Sequence, residues 1–342
     1  MKTLNYDFQA IPFDDIVKFG HVELLHRDLF VVSWILGRYC NYSCSYCWVH
    51  GSSRKKDHRP TELYFKTIDE IKRQARGNGF NSFSFSLSGG EPTFHPGFLD
   101  ILKYLADDTP NTNRTSVHMT SNCSQNMKWF EQYVSVASRL SNAMVTASFH
   151  GEHLDTQDKI ANFADKLLFI QSNKIYLTIN MVMVPENFYN LYEKAQYFHG
   201  RGLNVTLKPQ SDPHANYVVD GYSKEMLDIM QTGMPKLDRQ FNTQKDVMNI
   251  EFEDSKGNLW YMDEAERFNA FGFNRFKGWN CNAGYQSIII QEPSGNVKRS
   301  YSCIDKPIGN IATGFEIFKT ANMCISPACV SSADSKIPKS LL

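Results

Sequence analysis

Short runs of β-forming apolar residues alternate along the chain with longer segments of helical period. The runs indicate six strands, at about residues 29–36, 82–87, 115–120, 143–149, 174–184 and 203–208. Segments such as 61–76, 155–171 and 186–200 have the apolar spacing of amphipathic helices. This alternation is typical of βαβ units and a parallel sheet. Six units are too few for a closed eight-stranded barrel, so the pattern predicts an α/β fold with an open, partial (β/α)6 TIM-like barrel.

The pattern changes after residue 235. Two short strand-like runs surround EDSKGN within residues 248–262, and YQSIIIQEPSGNVKRSYSC (285–303) has the form of a hairpin with EPSGN as its turn. We therefore predict an N-terminal extension (1–27), a barrel (28–235) and a small C-terminal domain of hairpin and helix with a tail (236–342). The tail after Cys329 is short and polar, and is expected to fray.

Charge and hydropathy narrow the classes of function. Lys+Arg and Asp+Glu both number 36, so the chain has no net charge, which tells against nucleic acid as a partner. The N-terminal residues lack an apolar secretory segment, and runs such as LFVVSWIL are too short to cross a bilayer. The protein is predicted to be soluble and cytoplasmic, without a membrane partner.

Eight cysteines stand out in a chain predicted to be cytosolic, because clustered thiols there indicate metal binding or catalysis rather than disulfides. Three of them, Cys40, Cys44 and Cys47, lie in CNYSCSYCWVHG directly after the first predicted strand. In parallel barrels the chemistry lies at the C-terminal ends of the strands. The spacing favours an iron–sulfur centre with one open iron, with zinc as the alternative.

The second predicted strand ends in SLSGGEP, residues 86–92. Gly89 and Gly90 allow a small molecule to approach the backbone, and Glu91 and Pro92 follow at the turn. Alone, such a sequence is compatible with an ordinary turn. One strand–helix unit after a cysteine triplet, it is much more informative.

Together these motifs resemble the radical S-adenosylmethionine (radical SAM) superfamily over roughly residues 28–210. Its CxxxCxΦC signature is matched by Cys40, Cys44, Tyr46 and Cys47, and its GGEP motif by Gly89–Pro92. The resemblance implies that the triplet holds a 4Fe–4S cluster whose fourth iron binds SAM. It also implies that Gly89, Gly90, Glu91 and Pro92 contact the SAM amino group and that Tyr46 lies beside the adenine. Reductive cleavage would then give a 5′-deoxyadenosyl radical that abstracts a substrate hydrogen atom.

The resemblance extends to three weaker positions. Ser121 and Asn122 resemble a Thr-Asn-Gly stretch near SAM, although Cys123 replaces the glycine and leaves the backbone path open. Ser148 ends the next strand, where members often have Ser-x-Asp-Gly. The aspartate is not matched, and His150 is compatible with a partly exposed loop histidine.

The four late cysteines form a second group. CNAGYQSIIIQEPSGNVKRSYSC resembles the start of SPASM and twitch extensions, in which cysteines surround an auxiliary cluster. The later SPASM cysteine run is missing, so a twitch-like domain with one fully ligated 4Fe–4S cluster is the better match. Its ligands would be Cys281, Cys303, Cys324 and Cys329, and a zinc site with four thiolates is the alternative.

The expected function is therefore radical SAM oxidation or epimerisation of a small molecule derived from a sugar, nucleoside or amino acid. A peptide maturase acting on a ribosomal precursor is the alternative, and tRNA modification and a non-catalytic scaffold are disfavoured. The resemblance also implies a flavodoxin- or ferredoxin-type electron donor. Cys123 is a candidate hydrogen donor to a substrate radical, although a small buried core residue is the more favoured interpretation. Lys208 is interpreted as an ordinary lysine at a strand end rather than a substrate ligand.

Overall fold

The computed structural model describes residues 11–47, 53–56, 58–107, 114–212, 218–235, 237, 249–262 and 273–341, with the backbone of 4–5. Among these residues, no helix is both long enough and apolar enough to span a membrane. The strands in this part of the chain are β1 (Leu4–Asn5), β2 (Ile16–His21), β3 (Leu29–Ile35), β4 (Ser82–Ser88), β5 (Arg114–Ser121), β6 (Asn142–Phe149), β7 (Tyr176–Met183), β8 (Val205–Pro209), β9 (Ile250–Asp254), β10 (Leu259–Met262), β11 (Asn280–Cys281), β12 (Ser287–Gln291), β13 (Asn296–Lys298), β14 (Gly309–Asn310), β15 (Gly314–Phe315), β16 (Asn322–Met323) and β17 (Lys339–Ser340). The helices are α1 (Val22–His26), α2 (Thr61–Gly77), α3 (Phe98–Asp107), α4 (Met127–Ala137), α5 (Gln157–Ser172), α6 (Phe188–Gly200), α7 (Lys224–Thr232) and α8 (Ser332–Ser335).

A ten-stranded sheet forms the main body, in the order β15-β14-β13-β12-β3-β4-β5-β6-β7-β8. Its strands β3 to β8 are all parallel neighbours, joined in turn by α2 to α6. The predicted partial α/β barrel is therefore confirmed. The predicted hairpin is also present, since β12 pairs antiparallel with β13 and parallel with β3.

The two faces of the barrel strands differ in chemistry. In β6, Val145 and Ala147 are buried in the core with helix residues such as Phe163 of α5, whereas Thr146 and Ser148 are half-buried. The other parallel strands repeat this alternation. Because successive side chains point to opposite faces of a strand, the polar, half-buried positions lie on the inner face of the open barrel.

A second sheet lies beside the barrel, in the order β1-β10-β9-β2-β17-β11-β16. The predicted strand-like runs around EDSKGN are its antiparallel pair β9 and β10. Hydrogen bonding crosses both proposed domain boundaries, because β2 pairs with β9 and β12 pairs with β3. The division at residues 27/28 and 235/236 stays a prediction.

The expectation that the tail frays is wrong. Residues after Cys329 form α8 and β17, and β17 inserts between β2 and β11. Lys339 of β17 is 2% exposed. The polar composition of the tail gave no sign of this placement. The tail is held by pairing with two distant strands and not by its local propensity.

Candidate metal and cofactor site

The cysteine triplet lies on the loop that follows β3, at the C-terminal edge of the parallel strands. Cys40 and Cys44 are buried and Cys47 is exposed. The amide of Cys47 donates to the carbonyl of Cys44 at 3.1 Å, which turns the loop back on itself. Burial raises the pKa of the Cys44 thiol to about 12, and the neighbouring charges of Cys47, Glu152 and Cys40 add to that rise. The three thiols lie on one short loop, and a cationic centre bound there would deprotonate them.

The loop after β6 holds the cysteine loop in place. The amide of Ser43 donates to His153 Nε2 at 3.2 Å, and the amide of Ser45 donates to Glu152 Oε2 at 2.8 Å. The Tyr42 ring stacks on His153 with centroids 4.2 Å apart. Sequence reasoning missed Glu152 and His153, whose only local signal was two polar residues just beyond a strand end.

Among the residues that the structure describes, one set of three possible metal ligands has its ligand atoms close together. The Cys44 sulfur, a Glu152 oxygen and a His153 nitrogen lie within 4.8 Å of one another. Both polar side chains already accept hydrogen bonds from amides of the cysteine loop. We therefore interpret them as supports of that loop.

His150 contacts the triplet directly. Its Nδ1 lies 3.2 Å from Cys44 Sγ and 2.9 Å from the Tyr46 hydroxyl. Burial lowers the pKa of His150 to about 4, with a further lowering from His153, so the ring is neutral at physiological pH. The side chain is half-buried, as a partly exposed loop histidine would be, yet it lies against a predicted metal ligand.

The glycine pair of GGEP packs against the backbone that leads into the cysteine loop. A Cβ on Gly90 would lie 2.2 Å from the carbonyl oxygen of Tyr39, and one on Gly89 would lie 2.5 Å from that of Gly37. The Gly90 amide donates to the Gly37 carbonyl at 2.9 Å, and the Glu91 amide donates to the Tyr39 carbonyl at 2.7 Å. The close approach that these glycines permit is thus one of backbone to backbone.

We expect Gly90→Ala to displace the cysteine loop, because backbone atoms occupy the place of the new methyl group. The unfolding free energy of the metal-free protein should fall by about 1–3 kcal/mol, as for other overpacked sites, and iron at the triplet should be lost. Urea unfolding and iron analysis measure these effects. Gly200→Ala is the control, because its Cβ would meet nothing within 4 Å. Equal behaviour of the two variants would contradict this role for Gly90.

Glu91 is a buried carboxylate that joins the ends of β4 and β5. Oε1 accepts hydrogen bonds from Thr93 (amide 3.1 Å, hydroxyl 2.6 Å) and from the Ser121 hydroxyl (2.8 Å), and Oε2 accepts from the Asn122 amide (2.6 Å). Burial raises the pKa of Glu91, while these donors oppose the rise. Pro92 is buried at the start of the 3₁₀ turn that Glu91 caps.

Asn122 connects this carboxylate to the cysteine loop. Its Nδ2 lies 2.9 Å from Asn41 Oδ1 and 3.9 Å from Cys40 Sγ. The next residue, Cys123, has a φ of +52°. This left-handed conformation is the one in which glycine is normally favoured, so the backbone keeps a glycine-like path despite the substitution.

The Cys123 side chain is fully buried in the barrel core. Its carbonyl accepts a hydrogen bond from Lys166 Nζ at 2.5 Å, and Lys166 also donates to the Gln125 carbonyl at 3.1 Å. Burial raises the pKa of the Cys123 thiol to about 12. These contacts support a packing role, the interpretation favoured from sequence, over hydrogen donation to a substrate.

A row of hydrogen-bonded polar groups crosses the inner face of the barrel. His118 Nδ1 lies 3.0 Å from Ser86 Oγ, and His118 Nε2 lies 2.8 Å from Thr146 Oγ1. Loss of hydration lowers the pKa of His118 to about 4, and the Lys336 charge lowers it further. The imidazole is therefore neutral, with both nitrogens facing hydroxyl groups.

Two other predicted residues share this inner face. Ser148 is half-buried on β6 beside Asn180 of β7, and Lys208 of β8 lies beside Val182. Both positions are near the C-terminal ends of their strands, on the same edge as the cysteine triplet.

The late cysteines come together in the core of the second sheet. Cys281, Cys324 and Cys329 are buried and Cys303 is half-buried. Burial raises the pKa of the thiols of Cys303, Cys324 and Cys329, and the Cys281 charge raises each of them further. Cys281, Cys324 and Cys329 belong to one core cluster and Cys303 packs against it, and four thiols are the donor set of a metal or cluster that takes four thiolates.

The two cysteine groups lie at opposite ends of the barrel strands. The triplet follows the end of β3, whereas Cys281 precedes the start of β12, which runs parallel to β3. Cys303 follows β13, which runs antiparallel to β12 and so ends at the same side as Cys281. A seven-residue strand such as β3 is about 23 Å long. The half-buried polar face of the barrel lies between the two groups.

Comparison with known proteins matches residues 34–186 to the family model described as the Radical SAM superfamily. Among solved structures, a histidine-tagged form of anSMEcpe with bound AdoMet is similar, with a TM-score of 0.55 and 15% identity over 85% of this chain and 80% of that chain. Native anSMEcpe with bound AdoMet and Kp18Cys peptide gives a TM-score of 0.53 at 15% identity, over 85% and 80% of the respective chains. Curated protein sequences give no match. At this identity the structural likeness shows a shared fold.

Proposed function

Because residues 34–186 form a radical SAM domain, we propose that this protein cleaves SAM reductively and oxidises or epimerises a small-molecule substrate. The observation that carries the proposal is the preformed loop that presents Cys40, Cys44 and Cys47 at the mouth of a half-open, polar barrel. Bound at this loop, SAM and a 4Fe–4S cluster, which the superfamily implies, would supply radical chemistry for removing a substrate hydrogen atom.

The residues around the triplet hold and orient these groups in the proposed function. Cys40, Cys44 and Cys47 are the thiolate ligands. The Tyr42 amide, 3.3 Å from Cys40 Sγ, and Asn122 Nδ2 are donors aimed at the first thiolate. The remaining residues proposed to form the SAM site are Tyr46, Gly89, Gly90, Glu91, Pro92, Ser121 and Ser148, of which Glu91, Pro92 and Ser121 are buried and would support its walls.

The substrate is proposed to bind on the inner face of the barrel. Ser86, His118 and Thr146 offer hydroxyl and imidazole groups there, which suit a polar substrate with hydroxyl or amine groups. A neutral His118, held in place by the two hydroxyls, is proposed to position such a substrate by hydrogen bonding.

The late quartet is proposed to hold an auxiliary 4Fe–4S cluster in a twitch-like domain. The proposal is supported by the core cluster that contains Cys281, Cys324 and Cys329, with Cys303 packed against it. A fully ligated cluster there would serve electron transfer rather than SAM binding. A flavodoxin- or ferredoxin-type protein is the proposed electron donor. Zinc with four thiolates is the alternative for this group.

A peptide maturase is the second candidate function. It is favoured by one observation, namely that a structural neighbour is described with a bound peptide. The open inner face would have to admit a peptide segment rather than a whole small molecule. Turnover of short peptides in place of metabolites would reverse the order of the two candidates.

Anaerobic reconstitution tests the proposed cofactors. We expect about eight irons and about eight acid-labile sulfides per chain, because two 4Fe–4S clusters are proposed. With SAM and dithionite, the protein should release 5′-deoxyadenosine and methionine, measured by liquid chromatography. Stoichiometric zinc without sulfide, and no cleavage of SAM, would contradict the proposal.

A further inference from the structure

Lys339 is a lysine whose side chain is buried in the core of the second sheet. Its ammonium donates to three backbone carbonyls, those of Asp334, Ser335 and Ile337, at 3.0, 3.1 and 2.9 Å. The rings of Phe19 and Phe276 lie with their centroids 5.2 and 4.9 Å from Nζ. All three N–H groups are thus used, and the charge is in a largely apolar setting.

The same lysine lies beside the late cysteines. In the β-ladder, Lys339 is the direct partner of Cys281. Phe276, whose ring faces the ammonium, belongs to the same core cluster as Cys281, Cys324 and Cys329. The positive charge of Lys339 therefore lies at the core that holds three members of the quartet.

Within the described part of the chain, no carboxylate forms a salt bridge with Lys339. Its contacts are the three carbonyls and two rings, and the Asp334 carboxylate accepts instead from the amide and hydroxyl of Ser302, each at 2.7 Å. A buried cation without an anion is costly. Four neutral thiols would not balance it, but four thiolates around a metal centre would.

We propose that Lys339 is the built-in counter-charge of an anionic metal–thiolate centre held by Cys281, Cys303, Cys324 and Cys329, and that it raises the reduction potential of that centre. The inference rests on the auxiliary cluster of the proposed function. A 4Fe–4S cluster with four thiolates is anionic and gains one more negative charge on reduction. A fixed cation nearby stabilises the reduced form more than the oxidised form.

Redox titration of neutral variants tests this role. In full-length protein carrying Cys40→Ala, Cys44→Ala and Cys47→Ala, iron remains only at the quartet. There, Lys339→Met and Lys339→Gln should make one-electron reduction at least about tenfold less favourable, a shift of ~59 mV to more negative potential. Lys339→Arg keeps the charge and should keep the potential. Lys319→Met is the control, because Lys319 is exposed and solvent screens its charge.

The outcomes separate this inference from the function on which it rests. If the protein carrying only the three triplet substitutions contains no iron and sulfide, the proposal of an auxiliary cluster is refuted. Iron present with an unchanged potential in Lys339→Met and Lys339→Gln would overturn the role of Lys339 alone.

A second measurement does not depend on whether Lys339→Met and Lys339→Gln fold. With side-chain ¹⁵N-labelled lysine, the reduced quartet cluster should show a weak magnetic coupling to nitrogen in pulsed electron paramagnetic resonance. This coupling should disappear in Lys339→Arg. No coupling in the unaltered protein would place the ammonium too far away and overturn the proposal.

Discussion

Replacing Cys40, Cys44 and Cys47 together with alanine is expected to abolish reductive cleavage of SAM. The iron content should fall from about eight to about four per chain, because the substitutions do not touch the cluster proposed at the quartet. The rate of 5′-deoxyadenosine formation with dithionite should fall to that of a sample without protein. Iron and sulfide analysis and chromatography of the nucleoside measure both effects.

The structure gives a reason why this triple variant should still fold. The cysteine loop is held by hydrogen bonds that do not involve the thiols, from the Ser43 and Ser45 amides and from Arg54 to the Cys40 and Asn41 carbonyls at 3.2 and 2.9 Å. Cys123→Ala is the matched control, since Cys123 is buried in the core and belongs to neither cysteine group. It should retain all the iron and normal cleavage. Substantial cleavage by the triple variant would refute the assignment of the ligands.

Cys281→Ala and Cys329→Ala are expected to lower the iron content without abolishing the cleavage of SAM. Each should lose about four irons but retain cleavage of SAM, because the quartet lies at the other end of the barrel strands. Oxidation of a true substrate should be lost when the second cluster is missing. The measurements are iron content, 5′-deoxyadenosine formation and, once a substrate is known, product formation.

A folding control is needed for these quartet variants, because Cys281 and Cys329 are part of a hydrophobic core. Circular dichroism and the retained iron at the triplet show whether the barrel is intact. Loss of SAM cleavage in a folded Cys281→Ala protein would contradict the proposed separation of roles. Loss of one zinc, with no change in iron, would identify the quartet as a zinc site.

The barrel was predictable from sequence because its strands and helices have strong local periods. In α2, for instance, Tyr64, Ile68, Ile71 and Ala75 recur at helical spacing and are all buried. The strand β2 was missed. Its short sequence, IVKFGH, carries little alternation, and its pairing with β9 depends on residues more than two hundred positions away.

The site was predictable only where a motif occupies consecutive positions. The cysteine triplet and GGEP were visible as motifs, but Glu152 and His153, which accept hydrogen bonds from the cysteine loop, come from a distant loop. The glycine pair was expected to admit a ligand, whereas its closest neighbours are the backbone atoms of Gly37 and Tyr39. Lys339 gave no local signal at all, because its significance arises from its strand partner Cys281, which is distant in sequence.

The place of β17 in the second sheet has a consequence for the order of folding. This strand joins β2 to β11, and its pairing with Phe19 brings together segments from nearly opposite ends of the sequence. The parallel strands β3 to β8, in contrast, pair with near neighbours along the chain. Contacts of such high contact order form slowly, so the barrel can fold during synthesis while the quartet side remains open. The centre proposed at the late cysteines would then be completed only after β17 has docked.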